Sequence, residues 1–464
     1  MFKKLASYHN IIVSIAKLAL PITIGQLGLI LMGFSDVAML GRLNTASMSA
    51  AGFGNAVFFL FMLIGIGTMY AVSTMTSIAD GEGRPQQAIP IFYSSLNVAL
   101  FLSVVLMLVN ALVLKYIHLF RQSEEQTILG AEFIRIVNYS VPALLFYNAG
   151  KQLMDGLGKT QLSMYVTFFG LGLNVLLNYL LIWGHWGLPA MGLAGSAWAT
   201  VISRFAMAVI MLLWAWYHPL TRSFRRMPYA DGAADAEVSA AIERRSYFWS
   251  ILKIGVPVGF SFFFEIAAFS FALVMAGMIS VIHSAAHQIA INLASITYMF
   301  VMGIAAAANI LVGNFYGARN KEGIRRAGFA ALLLTFGIEV IFALVFMLLN
   351  HQLPYIYTTD QAVLMIAPSL IILAALFQLS DGLQAVAAGA LRGIKDTKVT
   401  GFIAFVSYWV LMIPGAWYLC FYTDMGIQGI WLAFVVGLSF AAVLLTGRFY
   451  IKTKFNNLQF SDET

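Results

Sequence analysis

Long, almost uninterrupted apolar stretches alternate along this chain with short polar breaks rich in Gly and Pro. The apolar stretches fall at residues 12–41, 48–79, 88–118, 127–155, 161–184 and 191–217, then at 248–278, 284–316, 324–350, 361–391, 398–420 and 426–449. Each is at least as long as the roughly 20 residues that a helix needs to cross a hydrocarbon core. Lipid offers backbone N–H and C=O groups no partners, so a spanning segment must be a helix or part of a closed barrel. Barrel strands alternate apolar and polar residues, and these stretches do not. The pattern therefore predicts twelve transmembrane helices in an all-α polytopic membrane protein.

The most polar stretch divides the twelve into two sets of six. Residues 218–247 hold Arg222, Arg225, Arg226, Arg244 and Arg245 among Asp231, Asp235, Glu237 and Glu243. They read as a surface linker between an N-terminal lobe (1–217) and a C-terminal lobe (248–450), with a short tail at 451–464. The two lobes repeat each other. Lys17-Leu18-Ala19-Leu20-Pro21 returns as Lys253-Ile254-Gly255-Val256-Pro257, 236 residues later. Ser49-Ala50-Ala51 returns as Ser284-Ala285-Ala286, Gly81 as Gly317, and Met191-Gly192-Leu193-Ala194-Gly195 as Met425-Gly426-Ile427-Gln428-Gly429. The near-constant offset outweighs the weakness of each match. Six spans per repeat start both copies on the same side, so the pseudo-twofold axis runs along the membrane normal, an arrangement used by some transporters.

Composition narrows the class. Of 464 residues, 61% are hydrophobic and 10% charged, whereas a soluble domain carries about 25% charged residues. Mean hydropathy is +0.84. A soluble enzyme, a disordered scaffold and a nucleic-acid-binding module are excluded. The net charge of +7 then reflects lysines and arginines concentrated in cytoplasmic loops. With a cytoplasmic N-terminus, the inner segments hold Lys3, Lys4, Lys17, Arg84, Lys151, Lys159, the linker arginines, Lys253, Arg319, Lys321, Arg325, Arg326, Arg392, Lys395, Lys398, Arg448, Lys452 and Lys454. The outer loops hold little beyond Arg42, Lys115 and Arg121, so both termini are expected inside. A single cysteine, Cys420, excludes an internal disulfide framework and a Cys-based metal site. No cleavable signal is expected, because the apolar run after Lys3 and Lys4 is too long for one.

Ionisable residues inside the spans carry the functional information. A charge near mid-membrane costs roughly 2.5–3.5 kcal/mol on insertion scales and marks a polar pathway by default. Asp36 lies late in the first span, Glu265 follows Phe262-Phe263-Phe264 in the seventh, and Asp381 lies in the tenth. Glu339, in the ninth, reads equally as pathway or as lateral helix contact. Asn174 and Asn178, four apart on one helix face, and Thr200 offer Asp36 an oxygen shell. Such a shell suits a hard monovalent cation, or a network around one protonatable acid. Pro21 removes a backbone donor and could kink the helix carrying Asp36. Glu265 and Asp381 could meet only through the fold; if they do, repulsion and desolvation would be relieved by a proton or Na⁺. Phe262, Phe263, Phe264, Phe269, Phe271 and Phe377 surround that pair in sequence. Aromatic faces suit a lipophilic cation, although packing or lipid contact accounts for most of these rings. His283 and His287 are four apart but have no companion ligand for a metal.

These residues resemble a known family. The segments Gly389-Ala390-Leu391-Arg392-Gly393-Ile394-Lys395-Asp396-Thr397 and Asp155-Gly156-Leu157-Gly158-Lys159-Thr160, with the two six-span halves and buried acids, resemble the multidrug and toxic compound extrusion (MATE) transporters. The resemblance spans essentially the whole chain and is closest to the NorM-like bacterial branch. It implies a coupling-ion and substrate cluster at Asp36, Asn174, Asn178 and Thr200, a helix kink at Pro21, and a second cluster at Glu265 and Asp381. Asn178 stands where some relatives carry Asp, and Phe377 where some Na⁺-linked members carry Tyr. The implied activity is secondary antiport: an amphipathic organic cation leaves as Na⁺ or H⁺ enters by alternating access. The expected setting is the bacterial inner membrane, as a monomer, with no cofactor and no metal beyond Na⁺ at these residues. A lipid-linked saccharide flippase of the same superfamily is the alternative, disfavoured because the intramembrane charges are mostly carboxylates. The chain lacks Gly-x-Gly-Asp, His-Glu-x-x-His and Walker A motifs, so neither a membrane-embedded enzyme nor an ATP-driven pump is expected.

Overall fold

A computed structural model describes the backbone of residues 2–120, 123–226, 233–454 and 458, and the side chains of 8–120, 123–223, 246–454 and 458. Lys3, Lys4, Arg121, Arg225, Arg226, Asp231, Asp235, Glu237, Glu243, Arg244, Arg245 and the tail beyond Lys454 (Leu458 apart) lie outside the described side chains.

The helices, in order, are α1 (Phe2–Gly41), α2 (Thr45–Gly81), α3 (Ala88–Lys115), α4 (Glu124–Val137), α5 (Val141–Gly156), α6 (Thr160–Trp183), α7 (Gly192–Tyr217), α8 (Pro219–Arg226), α9 (Ala233–Ile279), α10 (Val281–Gly317), α11 (Lys321–Leu348), α12 (Gln361–Gly393), α13 (Thr397–Phe405), α14 (Ile413–Phe421) and α15 (Ile427–Lys454). A 3₁₀ turn joins α4 to α5 into one span, and a π-helical segment, Val406–Met412, joins α13 to α14. Among the described residues, twelve helical segments are long and apolar enough to cross a membrane, from Tyr8–Gly41 to Ile427–Lys454. All twelve predicted spans are found. Apolar residues on outer faces stay exposed, Phe34 at 69%, Leu108 at 65% and Val443 at 70%. Surface of this kind calls for lipid rather than water.

The chain forms two compact units, and their composition departs from the expected lobes. One comprises Met1–Thr23 and Phe260–Thr464, the other Ile24–Gly259. The boundaries fall within α1 and α9 rather than in the 218–247 linker. Each long helix therefore contributes its N-terminal part to one unit and its remainder to the other. Both prolines inside these helices, Pro21 and Pro257, lie just before the boundary. Close backbone approach explains the assignment of the α9 segment. A Cβ on Gly255 would clash with the Thr68 carbonyl oxygen, and one on Gly259 with that of Ile64. Only a residue without a side chain lets α9 lie this close to α2.

The repeat read from the sequence is written again in the backbone. Asn44 caps α2 by accepting the Ser47 amide, and Ser280, 236 residues on, caps α10 by accepting the His283 amide. Gly83 and Arg319 both take positive φ (71° and 53°), as do Gly158 and Lys395 (73° and 61°). Arg319 and Lys395 hold a conformation that costs a side chain about 1 kcal/mol or more. Gly156 packs on Ser73 and Thr76 of α2; Gly393 packs on Asn309 and Val312 of α10, at the same offset. One departure separates the halves. The π-helical segment has no counterpart in α6, which is regular from Thr160 to Trp183. Such segments often accompany functional sites, and this one carries the buried Tyr408.

Candidate cation-binding sites

In the unit formed by Ile24–Gly259, Asp36 is 3% exposed. The Asn178 amide donates to Asp36 Oδ1 at 2.5 Å, and the Thr200 hydroxyl donates to Oδ2 at 3.2 Å. Asn178 also donates to Asn174 Oδ1 at 3.2 Å, as four-residue spacing on α6 permits. The Ser35 hydroxyl reaches the same oxygen at 3.5 Å. The fold thus brings Asp36, Asn174, Asn178 and Thr200 together from α1, α6 and α7. Pro21 is buried in α1, which remains helical through it.

Arg204 joins this cluster. It lies one turn beyond Thr200 on α7, is 8% exposed, and acts electrostatically on Asp36. It forms no direct ion pair there; instead it donates to Ser140 Oγ at 2.7 Å. Its guanidinium sits over the rings of Phe58 and Phe59, at 5.3 and 5.5 Å. Both Asp36 oxygens consequently face neutral donors, while the balancing charge stands off.

Deeper along α5 lies a second buried pair. Lys151 Nζ donates to Asp155 Oδ2 at 2.8 Å, and Ser163 donates to Asp155 Oδ1 at 2.7 Å. The Tyr147 and Thr167 hydroxyls share a hydrogen bond of 2.8 Å nearby. Lys151, expected among the loop cations, is instead 6% exposed, because its carboxylate partner follows one turn later on the same helix.

The other unit holds Glu265 on α9, 6% exposed, and Asp381 on α12, 4% exposed. Tyr298 of α10 donates to Glu265 Oε1 at 2.8 Å. Tyr408 and Arg392 act on Glu265, and Glu265 acts electrostatically on Asp381, so the fold brings the two acids within electrostatic reach of each other. Gln384 donates to Asp381 Oδ1 at 3.3 Å. Arg392, also expected in a loop, is 4% exposed and sits over the Phe262 ring at 5.6 Å. Three helical turns after Asp381, it lies on the same face of α12. Phe377 packs against Phe269, Trp431 and Phe434 at 5.5–5.9 Å and offers Asp381 no hydroxyl. Phe271 is 38% exposed. His283 bonds Ser280 at the start of α10, and His287 is buried against Trp431. Glu339 of α11 is 1% exposed and lies against Gly382, the neighbour of Asp381.

The sequence reading passed over Arg204, Tyr298, Tyr408 and Gln384. For Arg204 and Gln384 a signal existed, since each lies within one turn of a recognised site residue. Tyr298 and Tyr408 are brought in only by packing.

Comparison with known proteins agrees with this architecture. The MatE family model matches residues 21–180 and 257–418, two segments whose starts are separated by the repeat offset. The chain is 32% identical to the multidrug resistance protein NorM of Vibrio vulnificus (strain YJ016), covering 94% of each chain. It is 31% identical to the multidrug resistance protein MdtK of Yersinia pseudotuberculosis, again over 94% of each. Among solved structures, the eukaryotic MATE transporter AtDTX14 superposes with a TM-score of 0.85 at 16% identity, covering 97% of this chain and 99% of that one. A MOP superfamily transporter from Pyrococcus furiosus gives 0.83 at 20% identity, covering 97% of each. The structures share the fold; the sequence relatives and the family match on both halves carry the kinship, and the chain belongs to the MatE family.

Proposed function

We propose that this chain is a secondary-active multidrug efflux antiporter that exports amphipathic organic cations in exchange for Na⁺ or H⁺ by alternating access. The observation that carries the reading is the setting of Asp36. It is a buried carboxylate whose oxygens accept from the neutral donors Asn178 and Thr200. A purely structural acid would hold a lysine or arginine directly, as Asp155 holds Lys151. Held by neutral donors, Asp36 can trade those hydrogen bonds for an exchangeable cation. A proton, Na⁺ or a drug cation could each satisfy it, and their mutual exclusion couples their movements. Glu265 and Asp381 supply the same chemistry in the other unit. Multidrug resistance, as the relatives are named, is consistent with broad organic cargo.

The proposed setting is the bacterial inner membrane, with the protein acting as a monomer without a cofactor. Both termini face the cytoplasm: removing Lys151 and Arg392 from the tally of loop cations still leaves a strong excess on that side. Ethidium efflux from proteoliposomes under an imposed Na⁺ or pH gradient tests the reading. One gradient should drive efflux, and Asp36→Asn, Glu265→Gln and Asp381→Asn should each reduce it at least tenfold. If neither gradient drives any organic cation, the antiporter assignment fails. If all three variants pump like the parent, the site assignment fails.

A further inference from the structure

We infer that Glu339 forms a second exchangeable-cation site in the unit containing Phe260–Thr464, so that each turnover moves two monovalent cations. The turnover claim rests on the antiporter reading; the binding claim stands without it. Glu339 is 1% exposed, and its Oε2 has no hydrogen-bond partner among the described residues. One turn earlier on α11, the Thr335 hydroxyl is fully buried and likewise unpartnered. Both side chains lie against Gly382, where an added Cβ would come within 3.0 Å of Glu339 Cγ and of Thr335 Cγ2. Glycine at this position lets α11 lie close to α12 and sets Glu339 within electrostatic reach of Asp381.

Charge bookkeeping gives the reason for two cations. The buried charged side chains described in this unit are Glu265, Asp381, Glu339 and Arg392. Three carboxylates face one guanidinium. In the other unit Asp36 and Asp155 are matched by Arg204 and Lys151. Arg392 acts on Glu265. An unmatched buried charge is too costly to persist, so the excess of two is met by ions that come and go. Nor do three acidic or histidine side chains converge on one metal-sized point among the described residues. That favours two separate monovalent sites over one divalent site. Carboxylate and hydroxyl oxygens are hard donors suited to Na⁺ or to a proton. Asp381, within electrostatic reach of both Glu265 and Glu339, links the two occupancies.

The test uses the full chain in proteoliposomes with the membrane potential clamped at zero. The limiting ethidium gradient then equals the driving-ion gradient raised to the number of ions exchanged. A tenfold Na⁺ or H⁺ gradient should sustain a cargo gradient of about 100-fold in the parent and about tenfold in Glu339→Gln. The separate Na⁺ and H⁺ arms identify the ion. A parent limit near tenfold, or a Glu339→Gln limit still near 100-fold, overturns the inference. If Glu339→Gln does not pump, counting ²²Na⁺ bound, or protons taken up from an indicator dye, decides. One ion fewer than the parent supports the site, and an equal count refutes it. Should that variant not fold, Thr335→Val is expected to weaken the second ion by about tenfold and spare the first; an unchanged second affinity overturns the inference. Absence of gradient-driven efflux in the parent defeats the antiporter reading alone, since the binding counts remain.

Discussion

Replacing Arg204 with glutamine removes a buried positive charge that acts on Asp36, without touching either Asp36 oxygen. Arg204 makes a 2.7 Å charged hydrogen bond to Ser140 and lies over two phenyl rings at 5.3 and 5.5 Å. A charged hydrogen bond contributes about 1.5–3 kcal/mol, and a desolvated cation–ring contact about 2 kcal/mol. These contacts alone make Arg204→Gln costly, so a loss of stability by itself would decide nothing. The informative quantity is the coupling to Asp36. Without the guanidinium, Asp36 is left as an uncompensated buried charge, a situation that costs about 3–5 kcal/mol when a buried pair is broken. Part of that cost should vanish when Asp36 is neutralised too. Unfolding in detergent micelles of the parent, Arg204→Gln, Asp36→Asn and the double variant is expected to show a coupling of about 1–3 kcal/mol, with the double variant more stable than additivity requires. In parallel, ethidium affinity should rise about tenfold in Arg204→Gln, because a competing positive charge is gone. The rise should disappear in the double variant. Additivity within about 0.5 kcal/mol, together with unchanged ethidium affinity, would refute the view that Arg204 balances Asp36 through space.

Two further outcomes follow from the geometry. Gly156→Ala and Gly393→Ala each place a methyl group within 2.9 Å of a neighbouring backbone oxygen, so each should destabilise by about 1–3 kcal/mol. Gly447→Ala, which meets open space, should be nearly neutral in the same melting experiment. Equal effects at all three would show that the repeated contacts are not tight. His218, just beyond α7, accepts the Leu220 amide through Nδ1. Partial burial, and then the nearby Lys159 charge, hold it below its ordinary 6.5. Because the folded state disfavours its protonated form, its contribution is present above pH 6.5 and is lost as pH falls through the lowered value. An NMR titration of the His218 ring should therefore give a midpoint below 6.5, and one at or above it would contradict the assignment.

The spans, the repeat and the intramembrane acids were legible in the sequence because lipid is an exacting solvent. It forces every crossing segment to be a long apolar helix, so polar residues within such a segment stand out. The four-residue spacing of Asn174 and Asn178 was readable for the same reason: a helix puts them on one face. Tertiary structure decided which groups meet. Tyr298 and Tyr408 reach Glu265 from α10 and from the π-helical segment, and no local pattern announces either. Lys151 and Arg392 look like loop cations, since they stand near helix ends. Packing buries them, and only there do Asp155 and the Glu265 cluster make their charges tolerable. The division of α1 and α9 between the two units is likewise absent from hydropathy, which sees a uniform apolar helix on both sides of Pro21 and Pro257. It is the close seating of Gly255 and Gly259 on α2, a contact between distant segments, that assigns the start of the seventh span to the first six.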